Sequence, residues 1–162
     1  MQRLWAPWRN KYIVSARKSR GCVLCRAVSG RRIPGEHLIF KSALSAVVLN
    51  IYPYNNGHLL VFPLRHVNDT ARLREEEFVD LFECLNRAKG LLDKVLRPDG
   101  YNIGFNLGRV AGAGITGHLH MHIVPRWKGD VNFMPVVSDT KIVSQSLAEL
   151  AKLLKNACRR HE

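Results

Sequence analysis

Residues 117–125 read Gly-His-Leu-His-Met-His-Ile-Val-Pro, with three histidines alternating with apolar residues. A period of two is typical of a half-buried β-strand and not of a helix. On such a strand His118, His120 and His122 would line one face while the apolar side chains between them enter the core. A strand needs no row of titratable rings to be stable. The segment therefore predicts an active-site strand; a His-rich surface strand or an adventitious metal-binding tract is the alternative.

The length and composition favour one soluble globular domain. The chain has 162 residues, of which 46% are hydrophobic and 23% are charged, which excludes the disordered and fibrous classes. No apolar run approaches the roughly 18 residues that a membrane span needs. The first residues lack a hydrophobic signal core, so we predict a cytoplasmic protein with no membrane partner.

The charge is strongly basic and unevenly distributed. Lysine and arginine total 25 against 13 acidic residues, a formal net charge of +12, and Glu36 is the only acidic residue before Asp69. An arm over residues 1–20 combines cations with Trp5, Trp8 and other aromatics. A field of this sign concentrates polyanions, either nucleic acid or a small polyphosphate. A generally solvated basic surface is the alternative.

Hydrophobic periodicity predicts an α+β protein with a mainly antiparallel sheet. We expect a single domain over 1–162, with the basic arm at 1–20 and a C-terminal helix and tail at 139–162. The predicted strands are His37–Lys41, Ala46–Asn50, His58–Phe62, Tyr101–Leu107 and the histidine strand; the predicted helices are Glu75–Leu96 and Thr140–Cys158.

A small-residue loop precedes the histidine strand and predicts an anion site. It lacks the GK[ST] ending of a Walker loop, but the amides of Gly112 and Gly114 could wrap a phosphate. Glycines alone are weak support, since a tight turn would use them too. Beside a row of imidazoles they indicate chemistry at phosphorus, where a neutral imidazole is a good nucleophile near pH 7 and forms a labile P–N bond.

Taken together, these motifs resemble the histidine triad (HIT) superfamily. The pattern Gly-His-x-His-x-His-x-x-Pro, preceded by Asn50 and by Gly-His58-Leu-Leu-Val-x-Pro, carries the resemblance, which runs from Cys22 to about Met134. The opening Leu-Trp-Ala-Pro-Trp-Arg and the segment Gly129–Pro135 are similar to the bacterial branch related to Fhit-type dinucleoside polyphosphate hydrolases and diadenosine tetraphosphate phosphorylases.

The resemblance implies a HIT-like fold, with five antiparallel strands and two helices, and a homodimer with one continuous sheet. It implies His120 as the nucleophile, with His122 and His58 holding phosphate oxygens and serving the leaving group. In one departure, Gly-Ile-Thr at 114–116 stands where relatives often carry Gln-Ser or Gln-Thr, which counts against a phosphoramidase role. The positions implied to bind the nucleotide are Asn50, Ile51, Asn106, Gly112, Gly114 and His118.

A second constellation combines Cys22-x-x-Cys25 with His66 and His118. Four such ligands suit a closed tetrahedral zinc site, and zinc-bearing HIT proteins imply the same assignment here. A redox pair or two buried cysteines are the alternatives for CxxC alone. If His118 binds Zn²⁺, it cannot also donate a proton.

The resulting hypothesis is an enzyme that cleaves dinucleoside polyphosphates, with diadenosine tetraphosphate as the favoured substrate. The reaction would pass through a nucleotidyl-His120 intermediate released to phosphate or water. The alternatives are a nucleoside phosphoramidase, processing of adenylated nucleic acid, and a basic nucleic-acid-binding protein without catalysis. A metalloenzyme with a His118–His120 zinc pair ranks last, because it leaves the two cysteines unexplained.

Overall fold

One antiparallel sheet of five strands organises the computed structural model, which describes residues 21–29, 37–130 and 145–159. Its spatial order is β1-β2-β3-β5-β4, and every neighbouring pair is antiparallel. This confirms the predicted α+β class and five-stranded sheet. The strands are β1 His37–Lys41, β2 Ser45–Leu49, β3 Leu59–Pro63, β4 Gly100–Phe105 and β5 Met121–Arg126.

The two faces of the sheet carry separate hydrophobic clusters because alternate residues of each strand point to opposite sides. On β3, Leu59 and Val61 belong to the larger cluster, whereas Leu60 and Phe62 belong to the smaller one. The strand register pairs Leu59 with Ile123 and Leu60 with His122. His122 of β5 therefore lies on the face of the smaller cluster, away from the main core.

Two longer helices cover the larger cluster. They are α2 (Glu75–Leu96) and α3 (Leu147–Arg159), and the sequence predicts the bounds of α2 correctly. Three glutamates in the first turn of α2 favour its start through the helix dipole, and Arg97, with φ +48°, ends it before Pro98. Burying each α2 leucine contributes about 2 kcal/mol.

A short helix, α1 (Val23–Val28), covers the other face and is absent from the sequence prediction. Leu24 is buried in the smaller cluster, and Cys22 lies immediately before the helix. Six residues are too few for a helical period to be read from sequence. The consequence is that the Cys-x-x-Cys pair starts a helix directly beneath the histidine face.

Several predictions fall outside the described residues: the arm at 1–20, residues 131–135 of the Gly129–Pro135 segment, the start of the last helix at Thr140, and the end of the tail. Among the residues that are described, no helix has the length and apolar character to cross a membrane.

Candidate active site

The three histidines of residues 117–125 lie at and just before the start of β5. The strand begins at Met121, so the predicted continuous strand is wrong in its first part. The chain leaves the ladder there because the Leu119 N–H donates to the Val67 carbonyl, with N and O 2.6 Å apart. Leu119, Met121 and Ile123 are buried as expected, but His118 and His120 are buried as well, so exposure does not alternate along the segment.

A backbone carbonyl two residues earlier in the chain fixes His120 in one tautomer. Its Nδ1 lies 2.8 Å from the His118 carbonyl oxygen. A carbonyl can only accept, so Nδ1 carries the proton and Nε2 carries the lone pair. The ring is 4% exposed. Burial lowers the pKa of His120, while the bond to the His118 carbonyl opposes that shift, so the ring is neutral near pH 7. The burial of His120 excludes a His-rich surface strand at this position. His120 is instead a neutral imidazole with a fixed orientation.

His58 and His122 form a relay beside this ring. His58 Nδ1 accepts from the Tyr54 N–H at 3.0 Å, so the His58 proton must sit on Nε2. Nε2 then donates to His122 Nδ1 at 2.9 Å. The His122 proton is left on Nε2, and the side-chain amide of Asn106, 3.4 Å away, can pair with it only by turning its oxygen toward the ring. The His120 and His122 ring centroids are 5.0 Å apart, which places the relay beside the His120 ring.

The turn between β2 and β3 positions His58. Asn50 Oδ1 accepts the Tyr52 N–H at 3.0 Å, and Asn50 Nδ2 lies 3.2 Å from His58 Nδ1. Ile51, beside it, is 46% exposed and thus accessible to a ligand. Gly57 has φ +77°, and a Cβ there would lie 2.4 Å from Leu96 Cδ1. Only glycine allows the chain to turn this closely against α2 before His58.

The loop between β4 and β5 meets the site through Asn106. Two of its amides are already engaged within the loop, because the Gly112 N–H donates to the Arg109 carbonyl and the Ala113 N–H donates to Gly108. The predicted anion cradle therefore does not include those two N–H groups. Gly114 follows the buried Ala113, and Ile115 packs against the smaller hydrophobic cluster.

The structure gathers Cys22, Cys25, His66 and His118 into one cluster, with all four ligand atoms within 4.8 Å of one another. Cys22 Sγ lies 3.3 Å from His118 Nδ1, and Cys25 Sγ lies 3.3 Å from His66 Nδ1. His118 Nε2 donates to the Pro63 carbonyl at 2.8 Å, which leaves the Nδ1 lone pair facing the sulfurs.

Burial favours the neutral forms of the Cys25 thiol and the His118 ring in this cluster. Burial and the adjacent Cys22 thiol raise the pKa of Cys25 to about 11. Burial also lowers the pKa of His118, against the bond to Pro63. A divalent cation would stabilise the thiolate form that this environment otherwise disfavours. Two sulfurs and two imidazole nitrogens are the donor set that zinc prefers, so these residues fit the group.

Sequence reasoning missed Tyr54, which touches two of the histidines. Its backbone N–H sets the tautomer of His58, and its ring is stacked on His122 with centroids 5.5 Å apart and planes 15° apart. The sequence Tyr-Pro-Tyr-Asn-Asn-Gly at residues 52–57 indicates a turn and nothing more. Its closeness to His58 in sequence was the available signal.

An antiparallel sheet, a buried imidazole with a fixed lone pair, and a second histidine pair beside it define the histidine triad class of site. A family model described as the HIT domain matches residues 32–129. The chain belongs to the HIT domain family, as its motifs predicted.

Similar proteins agree with this assignment. The chain is 37% identical over 161 residues to a protein named AP-4-A phosphorylase from Mycobacterium tuberculosis, covering 95% of this chain and 83% of the relative. It is 35% identical over 96 residues to an asymmetrical bis(5'-nucleosyl)-tetraphosphatase from Schizosaccharomyces pombe, covering 59% and 52%. A zinc-bound histidine triad family protein from Mycobacterium smegmatis superimposes with a TM-score of 0.69 at 27% identity, covering 87% of this chain and 95% of that one.

Proposed function

We propose that this protein cleaves dinucleoside polyphosphates, diadenosine tetraphosphate above all, through a covalent nucleotidyl-His120 intermediate. The observation that carries the proposal is the His120 tautomer: Nδ1–H is held by the His118 carbonyl at 2.8 Å and Nε2 is left with its lone pair. A buried, neutral and oriented imidazole is prepared for attack on phosphorus. The alternative in which the chain only binds nucleic acid leaves this arrangement unused.

The first half of the reaction forms a P–N bond. His120 Nε2 attacks the α-phosphorus, and the P–O bond to the departing polyphosphate breaks. The ring becomes cationic, and the His118 carbonyl stabilises it by accepting from Nδ1–H. His122 Nε2–H donates a hydrogen bond to the leaving oxygen, which departs as an anion, and the 2.9 Å bond from His58 Nε2–H to His122 Nδ1 holds the His122 ring in that orientation.

The second half reverses these steps with a new acceptor. Inorganic phosphate or water attacks phosphorus, the P–N bond breaks to restore neutral His120, and any proton that the attacking group releases passes to the solvent. With diadenosine tetraphosphate, ATP leaves in the first half. Phosphate as acceptor then yields ADP, whereas water yields AMP. The M. tuberculosis relative is named as a phosphorylase and the S. pombe relative as a tetraphosphatase, so both acceptors occur among similar proteins.

Three features support a nucleotide with several phosphates as the substrate. The net charge of +12 attracts polyanions. Asn50 and the exposed Ile51 lie at the end of β2 beside His58, where we propose that they contact the nucleoside. Asn106 lies beside His122, and we propose that it contacts the phosphates together with Gly114, whereas the Gly112 N–H bonds within the loop and the His118 ring faces the cysteines.

The test is to incubate purified protein with diadenosine tetraphosphate, with and without inorganic phosphate, and to separate the nucleotides by anion exchange. ADP plus ATP that depend on phosphate would identify a phosphorylase, and AMP plus ATP in both conditions a hydrolase. His120→Gln should abolish both turnover and the acid-labile protein-bound label from radioactive substrate. Asn86→Ala, an exposed change on α2, is the matched control.

The proposal fails if wild-type protein shows no turnover, or if His120→Gln retains it. Turnover of adenosine phosphoramidates or adenylated nucleic acid in place of the dinucleotide would support those alternatives. Salt-dependent binding to duplex nucleic acid without any turnover would support a binding protein.

We further propose that Cys22, Cys25, His66 and His118 hold a structural Zn²⁺. The cluster distances, the orientation of His118 by Pro63 and the zinc-bound relative from M. smegmatis support this assignment. A zinc ion there would link the start of α1, the loop after β3 and the segment before β5. It would contribute to folding and leave the chemistry at phosphorus to the other histidines.

We also propose a homodimer built on β4 and α2. Strand β4 is an edge of the described sheet, and Ile103 on it is 46% exposed. The start of α2 exposes an apolar patch formed by Phe78, Val79 and Phe82, and the two phenylalanine rings are 4.8 Å apart. Pairing β4 with the same strand of a second copy would cover both features and continue the sheet.

A further inference from the structure

Asp130 lies where three segments meet beside the histidine relay. Its carboxylate binds Arg126 through both oxygens, at 2.6 Å from Nε to Oδ2 and 2.9 Å from Nη2 to Oδ1. Oδ2 also accepts from Asn55 Nδ2 at 2.7 Å and from the Trp127 N–H at 3.2 Å. Arg126 in turn donates to Asn102 of β4 at 2.9 Å. The turn before β3, the end of β5 and the edge strand are thus joined at one carboxylate.

Asn55 carries this connection toward the active site. Its Nδ2 has two hydrogens, which are donated to Asp130 and to the Pro125 carbonyl at 3.1 Å. The amide orientation is therefore fixed, because its oxygen could not make either bond. The next residue back, Tyr54, donates its N–H to His58 Nδ1 and stacks its ring on His122. The Asn55 carbonyl also accepts the His58 N–H at 3.2 Å.

We propose that Asp130 is a positioning residue for the imidazole chemistry: through Asn55 it holds the turn of residues 52–57 so that the Tyr54 N–H keeps the proton of His58 on Nε2. Only that tautomer allows His58 to donate to His122 Nδ1 and leaves a proton on His122 Nε2. The expected effect on kcat rests on the proposed function. The tautomer itself is a property of the resting protein.

Burial and charge support a role beyond a local turn. The Asp130 side chain is 9% exposed, and its bonds to Arg126, with those to Trp127 and Asn55, lower its pKa to about 2, so it stays ionised at any pH where the protein would work. Trp127 and Arg126 are near neighbours, as in an ordinary turn cap. Asn55 is 75 residues away in sequence, and no local turn requires that bond.

The test uses the full chain with Asp130→Asn, which keeps the shape and removes the charge. Long-range ¹H–¹⁵N spectra of the imidazoles report which nitrogen of His58 is protonated, with His58→Gln as the assignment standard. We expect the wild type to show Nε2–H only and the variant to show both tautomers. We expect kcat on diadenosine tetraphosphate to fall about 10- to 100-fold with little change in KM.

Asp99→Asn is the matched control. Asp99 accepts the Lys128 N–H at 2.8 Å, so it holds the same segment without touching Asn55. It should leave both the His58 spectrum and kcat unchanged. Asn55→Ala should reproduce the Asp130→Asn effect, and the double variant should be no slower than the worse single variant, because the two residues act in series. Asn55→Ala also keeps the test open if Asp130→Asn does not fold.

An unchanged His58 tautomer in Asp130→Asn and Asn55→Ala would overturn the proposal, as would additive losses of kcat in the double variant. If the wild type does not cleave dinucleoside polyphosphates, the proposed function fails while the imidazole spectra still decide the role of Asp130.

Discussion

Glu77 connects the loop after β3 to the first turn of α2 through an ion pair with Arg65. We therefore expect Glu77→Gln to lower the free energy of unfolding by an amount that depends on pH. Arg65 donates to both carboxylate oxygens, at 2.7 and 2.6 Å, and the Arg74 N–H donates at 2.9 Å. The Glu77 side chain is 4% exposed. The Arg65 hydrogen bonds, reinforced by the Arg74 N–H, lower the pKa of Glu77 from 4.5 to about 2. The loop that it fastens carries His66.

The size and sign of the effect follow from the shift in pKa. Because the folded-state pKa is depressed, the unfolded chain binds the proton more tightly, and the carboxylate stabilises the fold at pH values above 4.5. The full shift corresponds to about 3 kcal/mol. Arg65 is 38% exposed, so solvent screens part of this, and we expect about 2 kcal/mol for Glu77→Gln at pH 7. The contribution is lost as pH falls from 4.5 toward 2.

The assay is urea unfolding of wild type and Glu77→Gln in the same buffers at pH 7, 4 and 3, so that effects common to both proteins cancel. The difference in unfolding free energy should persist at pH 4 and fall to roughly half or less by pH 3. Glu76→Gln is the control, since Glu76 is 57% exposed and lies 3.6 Å from Arg74. A Glu77→Gln difference that is the same at pH 7 and pH 3 would refute the reasoning.

Three further predictions concern the turn, the metal and the dimer. In urea unfolding, Gly57→Ala should destabilise the fold by about 2 kcal/mol or more, because residue 57 has a left-handed φ and an added Cβ would overlap Leu96. Gly90→Ala, in open space on α2, should stabilise the fold by about 1 kcal/mol. Equal effects of the two substitutions would contradict this prediction. Cys25→Ser should reduce bound zinc, measured by atomic absorption, well below one per chain; retained stoichiometric zinc would exclude the cluster. Phe82→Glu should weaken the dimer at least about 10-fold in sedimentation, and Lys152→Glu on α3 should not; an unchanged dimer would place the interface elsewhere.

The parts of the fold that depend on local periodicity could be predicted from the sequence. Helix Glu75–Leu96 has the predicted bounds, and β1 has the predicted His37–Lys41. Met121 and Ile123 enter the larger hydrophobic cluster as expected because a period of two is a property of neighbouring residues, whereas the burial of His118 and His120 has no signal in the local pattern. Its strand starts late because the Leu119 N–H bonds to Val67, and a partner more than fifty residues away leaves no trace in local pattern.

The sequence predicts which residues form the candidate site, but it does not predict which ring nitrogens carry the protons. The sequence predicts which histidines and cysteines gather, since the motifs name them. It does not predict that the Gly112 amide is used within its own loop, or that Tyr54 sets the tautomer of His58. Which ring nitrogen is protonated depends on carbonyls and amides brought close by the fold, and those contacts have no sequence spacing of their own.

His118 and His120, two residues apart, take opposite tautomers, which in our proposal separates metal binding from chemistry at phosphorus. The Pro63 carbonyl accepts from Nε2 of His118 and leaves Nδ1 facing the cysteines, while the His118 carbonyl accepts from Nδ1 of His120 and leaves Nε2 for a substrate. Both roles nevertheless depend on His118, one on its ring and the other on its carbonyl. A metal held by the His118 ring would fix the carbonyl that orients the nucleophile, because ring and carbonyl belong to the same residue. A structural zinc would therefore influence catalysis through the orientation of His120, without contacting the substrate.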